Sequence, residues 1–147
     1  MTIAPTPAAN TMSALPHALP GCRDARLALF ALRRMGAHGL ADAHAANAFV
    51  GGFGEGFRRP LVLMRALMAD IAANSTCPIA IAPCCCARMT SAERALLTIL
   101  ARAETASENA RLLLGDLLGT RRIDGVLASA MALSQAFADA GRPIRLS

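Results

Sequence analysis

The feature that most constrains the fold of this chain is the spacing of its apolar residues, which recur every three or four positions in several segments. Such spacing places apolar side chains on one face of an α-helix, whereas a half-buried strand alternates them at every second position. Hydrophobic residues make up 54% of the 147 residues, and 33 of the residues are alanine. A chain of this length and composition can bury a core without disulfide or metal staples. The sequence therefore predicts one all-α domain.

The first predicted helix shows the pattern most clearly. It starts at Asp24, and its apolar residues fall on one face. Its arginines Arg26, Arg33 and Arg34 fall on the opposite face, which predicts that they point to solvent. Gly36 and Gly39 are expected to end this helix, since glycine commonly follows the last turn.

Capping residues predict where the other helices begin. Asp42 is expected to cap a second helix, and Pro60 suits the first turn of a third. Thr90 with Glu93 and Thr105 with Glu108 each have the spacing of a capping box, which opens a helix with two reciprocal hydrogen bonds. Asp124 is expected to cap the last helix. The prediction is a bundle of five to six helices.

The middle of the chain, residues 74–89, interrupts the helical pattern with two prolines and most of the cysteines. Its segment from Pro78 to Pro83 favours extended backbone, and we expect Ile79 and Ile81 to be buried on the same side. No other part of the sequence looks like a partner strand. The sequence therefore predicts an extended Pro/Cys-rich connector in the middle of the bundle.

The first 20 residues contain four prolines and no charged side chain. They predict a flexible tail over residues 1–20, followed by the bundle domain over residues 21–147. They also lack the basic and apolar regions of a secretory signal peptide. No uninterrupted apolar stretch is long enough for a membrane span. We therefore expect a cytoplasmic protein with reduced cysteines.

The cysteines are the one unusual chemical feature. Cys77, Cys84 and Cys86 can supply three thiolate ligands for zinc or another thiophilic metal, because alternate side chains of an extended segment share a side. The fourth ligand would be His44, His38 or Cys22. The spacing differs from the C-x2-C pairs of zinc knuckles. The leading interpretation is that the five cysteines are small buried hydrophobes with a structural role. A redox or thiol-reactive role is the third alternative.

The glycine-rich stretch of residues 51–57 does not match a nucleotide-binding loop. A dinucleotide fingerprint requires a third glycine where Phe57 stands, and a Walker loop requires a lysine, which this chain lacks. Gly52 and Gly56 are four residues apart and would form a notch on a helix. We expect that notch to permit close packing of a neighbouring element.

Arginine pairs suggest a second kind of partner, a polyanion. The chain has a formal net charge of +5, and Arg58, Arg59, Arg121 and Arg122 are the candidate contacts. These pairs are dispersed, however, and no exposed aromatic set accompanies them for stacking on bases. A solvated surface is the default interpretation, and nucleic acid is not the expected partner.

Two segments resemble a known family. They are FRRPLVLMRALM, residues 57–68, and PIAIAPCCCARMT, residues 78–90. They are similar to segments of a family of short, uncharacterised, all-helical bacterial proteins, a domain of unknown function. The resemblance covers residues 22 to 145 and implies a free-standing small protein, with no activity to carry over.

No residue pattern supports catalysis, and an enzyme is not the expected function. The sequence instead favours a small helical interaction protein that self-associates or binds a protein partner. Leu97, Leu112, Leu118 and Leu133 lie off the main apolar stripes, so some of them should be exposed unless a partner covers them. The alternatives are a metal- or thiol-dependent sensor centred on the cysteines and a weak polyanion binder.

Overall fold

The computed structural model describes residues 3–5 and 15–146, and six α-helices dominate them. They are α1 (Arg23–His38), α2 (Ala43–Phe53), α3 (Arg58–Asn74), α4 (Ser91–Arg102), α5 (Ser107–Leu118) and α6 (Asp124–Asp139), and a 3-10 turn, Gly54–Phe57, joins α2 to α3. The predicted all-α bundle of five to six helices is confirmed. Among the described residues, no helix is both long and apolar enough to cross a membrane.

The core lies between three helix pairs. The most extensive contacts join α3 to α6, α4 to α5, and α1 to α2. Every helix contributes at least one large, fully buried side chain, such as Leu32, Phe49, Met64, Leu97, Leu114 and Phe137. The amphipathic faces that the sequence predicts are thus buried against one another.

An aromatic cluster joins α2 to α6. The rings of Phe53 and Phe137 meet edge to face with centroids 4.9 Å apart, and Phe49 lies 6.0 Å from Phe137. In the sequence, Phe49, Phe53 and Phe57 fall at the four-residue steps of one helix. In the structure α2 ends at Phe53, because Gly54 adopts a φ of +64°. Phe57 therefore lies outside α2, with the Arg58 guanidinium 5.3 Å from the centre of its ring.

The prediction of a packed glycine notch is correct for Gly52 and wrong for Gly56. A Cβ atom on Gly52 would lie 2.7 Å from Cδ2 of Leu27, so the glycine lets α1 approach α2 closely. A Cβ atom on Gly56 would meet nothing within 4 Å. Gly56 lies in the 3-10 turn rather than in the helix, which removes it from the packed face.

Two of the four predicted helix caps are present in the structure and two are not. Asp42 caps α2 and Thr90 opens α4 with a complete capping box, both as predicted. The predicted box at Thr105 is wrong, because α5 begins at Ser107 with Ala106 at the cap position. Asp124 is the first residue of α6 and not its cap, and its carboxylate binds Arg111 instead.

Four short strands accompany the helices in the described part of the chain. They are β1 (Ile3–Pro5), β2 (His17–Ala18), β3 (Ile79–Ile81) and β4 (Arg88–Met89). β1 pairs with β3 in parallel, and β2 pairs with β4 in antiparallel orientation. The prediction that Ile79–Ile81 has no partner strand is therefore wrong. A segment too proline-rich to suggest a strand still supplies a three-residue edge pair, since its prolines need not donate within so short a ladder.

The predicted tail, residues 1–20, is described only in part. Residues 1–2 and 6–14 lie outside the described residues, and for them the flexible tail stays a prediction. The described parts pair with β3 and β4, and Leu15 is buried.

Ile79 and Ile81 are 1% and 3% exposed, and Ala80 between them is exposed, as the sequence predicts. Replacing both isoleucines by alanine should lower the free energy of unfolding by roughly 4 kcal/mol or more, because each buried Ile→Ala change costs about 2–5 kcal/mol. Urea denaturation measures this loss. Val62→Ala, at a side chain that is 58% exposed, is the matched control and should change it little. A double variant as stable as that control would show that the strand is not anchored.

Candidate functional site

A buried ion pair joins the first half of the chain to the second. Arg33 on α1 and Glu93 on α4 are 2% and 0% exposed. Two hydrogen bonds link them, from Arg33 Nε to Oε2 at 2.8 Å and from Nη2 to Oε1 at 3.1 Å. The prediction that Arg33 points to solvent is wrong. Residues that follow β3, among them Cys86 and Arg88, cover this face of α1. Arg33 is therefore buried although it lies on the polar face of its helix.

The same ion pair binds the connector, which we define as residues 75–90 between α3 and α4. Arg33 donates to the backbone carbonyls of Cys86 at 2.9 Å and Arg88 at 2.6 Å. Glu93 accepts from the backbone N–H groups of Ala82 at 3.1 Å and Thr90 at 2.9 Å. The pair therefore satisfies four backbone groups of an irregular segment, which would otherwise be costly to bury.

The start of the connector is fixed by the end of α5. Thr76 donates from both its backbone N–H and its hydroxyl to the carbonyl of Leu118. The Cys77 thiol lies 3.4 Å from the carbonyl oxygen of Leu117. Gly119 has a φ of +69°, and a Cβ atom there would come 2.5 Å from the Thr76 hydroxyl oxygen. Only glycine fits this position without strain.

A cavity of about 180 Å³ separates the connector from the end of α1. Arg34, His38 and Cys84 bring polar groups to its lining. Arg34 also donates two hydrogen bonds to Asp42, at 3.1 and 3.0 Å. This guanidinium lowers the pKa of Asp42 to about 2. The pKa of Arg34 is raised in turn, chiefly by Asp42 and also by the neighbouring Cys84 side chain.

The structure does not bring the predicted metal ligands together. Cys77 contacts the end of α5, Cys84 is exposed beside Arg34, and His44 is exposed on α2. Cys86 is half-buried, and its backbone carbonyl accepts a hydrogen bond from Arg33. Within residues 3–5 and 15–146, no three His, Cys, Asp or Glu side chains form a group that could hold a metal ion. Zinc binding therefore stays a prediction.

The predicted polyanion contacts are also dispersed. Arg58 lies over the ring of Phe57, and Arg59 is paired with Asp139 at 2.8 Å. Arg121 lines a groove formed by α5 and the α5–α6 turn, and Arg122 is exposed in that turn. Two of the four guanidinium groups are thus engaged within the fold.

That groove, which we call the Leu112 groove, has a volume of about 520 Å³. Its lining residues come from α5, from the α5–α6 turn and from the residue before α6: Arg111, Leu112, Gly115, Asp116, Gly119, Thr120, Arg121 and Ile123. Leu112 is 74% exposed, the largest value among the exposed large apolar side chains of the described residues. The lining is therefore mainly apolar, with charged groups of both signs.

The expected surplus of apolar leucines is smaller than the sequence predicts. Leu97, Leu118 and Leu133 are each 0% exposed and belong to the core. Their helices have neighbours on more than one side, because α4 contacts α1, α5 and α6, so positions off the main stripe are covered as well. Only Leu112 remains of that set.

The ion pair of Asp42 with Arg34 predicts an acid-dependent stability. Because the folded pKa of Asp42, about 2, lies below the unfolded value of about 3.9, its stabilisation is complete above pH 4. It is lost as the pH falls from about 4 towards 2. Between pH 5 and pH 2 the melting temperature should fall less steeply with decreasing pH for Asp42→Asn than for the wild type. Glu104→Gln, which removes an exposed carboxylate outside both the ion pair and the Leu112 groove, is the control. Equal slopes for wild type and Asp42→Asn would contradict the assignment.

Comparison with known proteins identifies the family and nothing more specific. No curated protein and no solved structure matches the chain. Residues 8–138 match a family described as "Family of unknown function (DUF6628)". This match covers both segments on which the resemblance rests, and it extends into the proline-rich N-terminal residues. With most of its length matched, the chain belongs to this family of unknown function.

Proposed function

We propose that this protein is a non-enzymatic interaction protein that self-associates through the Leu112 groove. The observation that carries the proposal is the 74% exposure of Leu112 at the edge of a mainly apolar groove. A large apolar side chain in this position loses unfavourable contact with water when a partner covers it. Exposed apolar surface beside a concavity is typical of interaction sites.

The charges of the groove favour a second copy of the chain as the partner. Asp116 and Arg121 are both exposed, and neither lies within 4.0 Å of an opposite charge among the described residues. In a twofold dimer the same patch faces itself, so Asp116 of one copy can pair with Arg121 of the other. Arg111, by contrast, is already bound to Asp124 at 2.6 Å.

The expected dimer is weak. Burying a fully exposed leucine contributes about 1.5–3 kcal/mol, so two copies of Leu112 contribute about 3–6 kcal/mol. The loss of translational and rotational freedom on association costs about 4–15 kcal/mol. The rest of the groove must therefore contribute, and we expect a dissociation constant in the micromolar range.

Light scattering coupled to size-exclusion chromatography tests the proposal. The wild type should show a mass that rises from monomer to dimer as its concentration increases through the micromolar range. Leu112→Gln should remain a monomer throughout, because a polar side chain gains nothing from burial in the groove. Val62→Gln is the matched control, since Val62 is 58% exposed and lies outside the groove. A wild type that stays monomeric, or equal effects of the two variants, would overturn self-association through this groove.

A further inference from the structure

A second groove, which we call the arginine groove, lies between α4 and the segment that follows α6. Its volume is about 410 Å³. Arg94, Thr98 and Arg102 line it from α4, and Ile144, Arg145 and Leu146 line it from the C-terminal segment. It shares no lining residue with the Leu112 groove.

Three arginines face this concavity from two elements. Arg94, Thr98 and Arg102 are spaced four residues apart, which places them on one face of α4 with Arg94 and Arg102 about 12 Å apart along the axis. Arg145 adds a third guanidinium from a segment 43 positions further along the chain. The sequence pattern could not show this convergence, because it depends on how the chain returns to α4 after α6.

Among the described residues, the positive charge of the groove has no internal counterpart. No carboxylate of the described residues lies within 4.0 Å of Arg94, Arg102 or Arg145, and none lines the groove. Five other arginines of the described chain are each paired with an aspartate or glutamate: Arg33, Arg34, Arg59, Arg111 and Arg142. Like charges that converge without a counter-ion repel one another, so a bound anion would be stabilised here.

We propose that the arginine groove binds a small organic anion that carries two or more phosphate groups. A guanidinium group donates paired hydrogen bonds that match a phosphate, and three of them exceed what a single phosphate requires. The volume falls within the usual range for small-ligand sites. The half-buried Leu146 offers apolar surface to the body of such a ligand. The hydroxyl of Thr98 donates to the carbonyl of Arg94, so the arginines are the donors available to the anion.

The lining favours a small ligand over a nucleic acid strand. Proteins that bind single strands combine basic grooves with aromatic side chains on which bases stack. No aromatic residue lines the arginine groove. The predicted contacts at Arg58, Arg59, Arg121 and Arg122 do not line it either.

Isothermal titration with inorganic tripolyphosphate at low ionic strength tests the proposal. The wild type should bind one tripolyphosphate per chain, with an affinity that falls as salt is added. Arg94→Gln and Arg145→Gln should each weaken binding about tenfold, which is about 1.4 kcal/mol. Arg122→Gln is the matched control, because it removes the same charge from an exposed arginine outside the groove, and it should change the affinity less than twofold. Circular dichroism verifies that all variants are folded.

Three outcomes would overturn the proposal. The first is no binding of tripolyphosphate by the folded wild type. The second is an equal loss of affinity in Arg122→Gln, which would indicate attraction by net charge alone. The third is a single-stranded oligonucleotide that binds more tightly than tripolyphosphate and is weakened by the same two variants, which would identify nucleic acid as the ligand.

Discussion

The buried ion pair of Arg33 and Glu93 holds the connector against α1 and α4. Moving two charges out of water costs several kcal/mol for each ion, and their mutual attraction offsets this only when the remaining donors and acceptors are also satisfied. Here Arg33 reaches two connector carbonyls and Glu93 reaches two connector N–H groups. Removing one partner would leave a buried charge uncompensated, which typically costs about 3–5 kcal/mol. The main effect of the pair is therefore to fix the path of the connector, and its net contribution to the free energy of unfolding is small.

The surface chemistry of the connector follows from that path. The Cys86 carbonyl is fixed on Arg33, while the side chains of Cys84 and Cys85 stay exposed. Cys84 comes to lie beside Arg34, and Arg34 is itself held by Asp42 at the start of α2. β3 and β4 then offer edges to the two N-terminal strands. One pair of charges thus positions a cavity, two exposed thiols and both strand pairs.

Local patterns predict the helices well, because their signals lie within a few residues. Asp42 and Thr90 have the residue types that satisfy backbone N–H groups at a helix start, and both do so. The alternation of side chains along extended backbone also correctly predicts the burial of Ile79 and Ile81. The helical periodicity fails for Arg33, because it records only which face of α1 is polar. Whether another segment covers that face depends on Glu93, 60 residues away.

The predictions of candidate sites are also correct where they depend on one helix and wrong where they depend on contacts between distant segments. The metal set joined Cys77 to Cys84 by sequence proximity, but Cys77 is fixed on α5 while Cys84 lies against α1. Leu112 could be identified from its helix alone, whereas Leu97, Leu118 and Leu133 are covered by neighbours that no local pattern reveals. The arginine groove likewise needs Arg145, which the fold brings to α4 from the end of the chain.

Amide hydrogen exchange in wild type and Glu93→Gln tests most directly whether the ion pair holds the connector. In the variant an NH₂ group replaces one carboxylate oxygen and cannot accept from Arg33 or from the backbone N–H that this oxygen served. The remaining oxygen accepts without the negative charge, so the contact to one of Ala82 and Thr90 is lost and the other is weakened. We predict that the amides of Ala82 and Thr90 are protected in the wild type and exchange at least tenfold faster in Glu93→Gln, with a smaller loss of protection at Leu114 in α5, which reports the change in global stability. Glu104→Gln, at an exposed carboxylate, should leave all three unchanged. Unchanged protection of Ala82 and Thr90 in Glu93→Gln, or an equal loss at Leu114, would contradict the account.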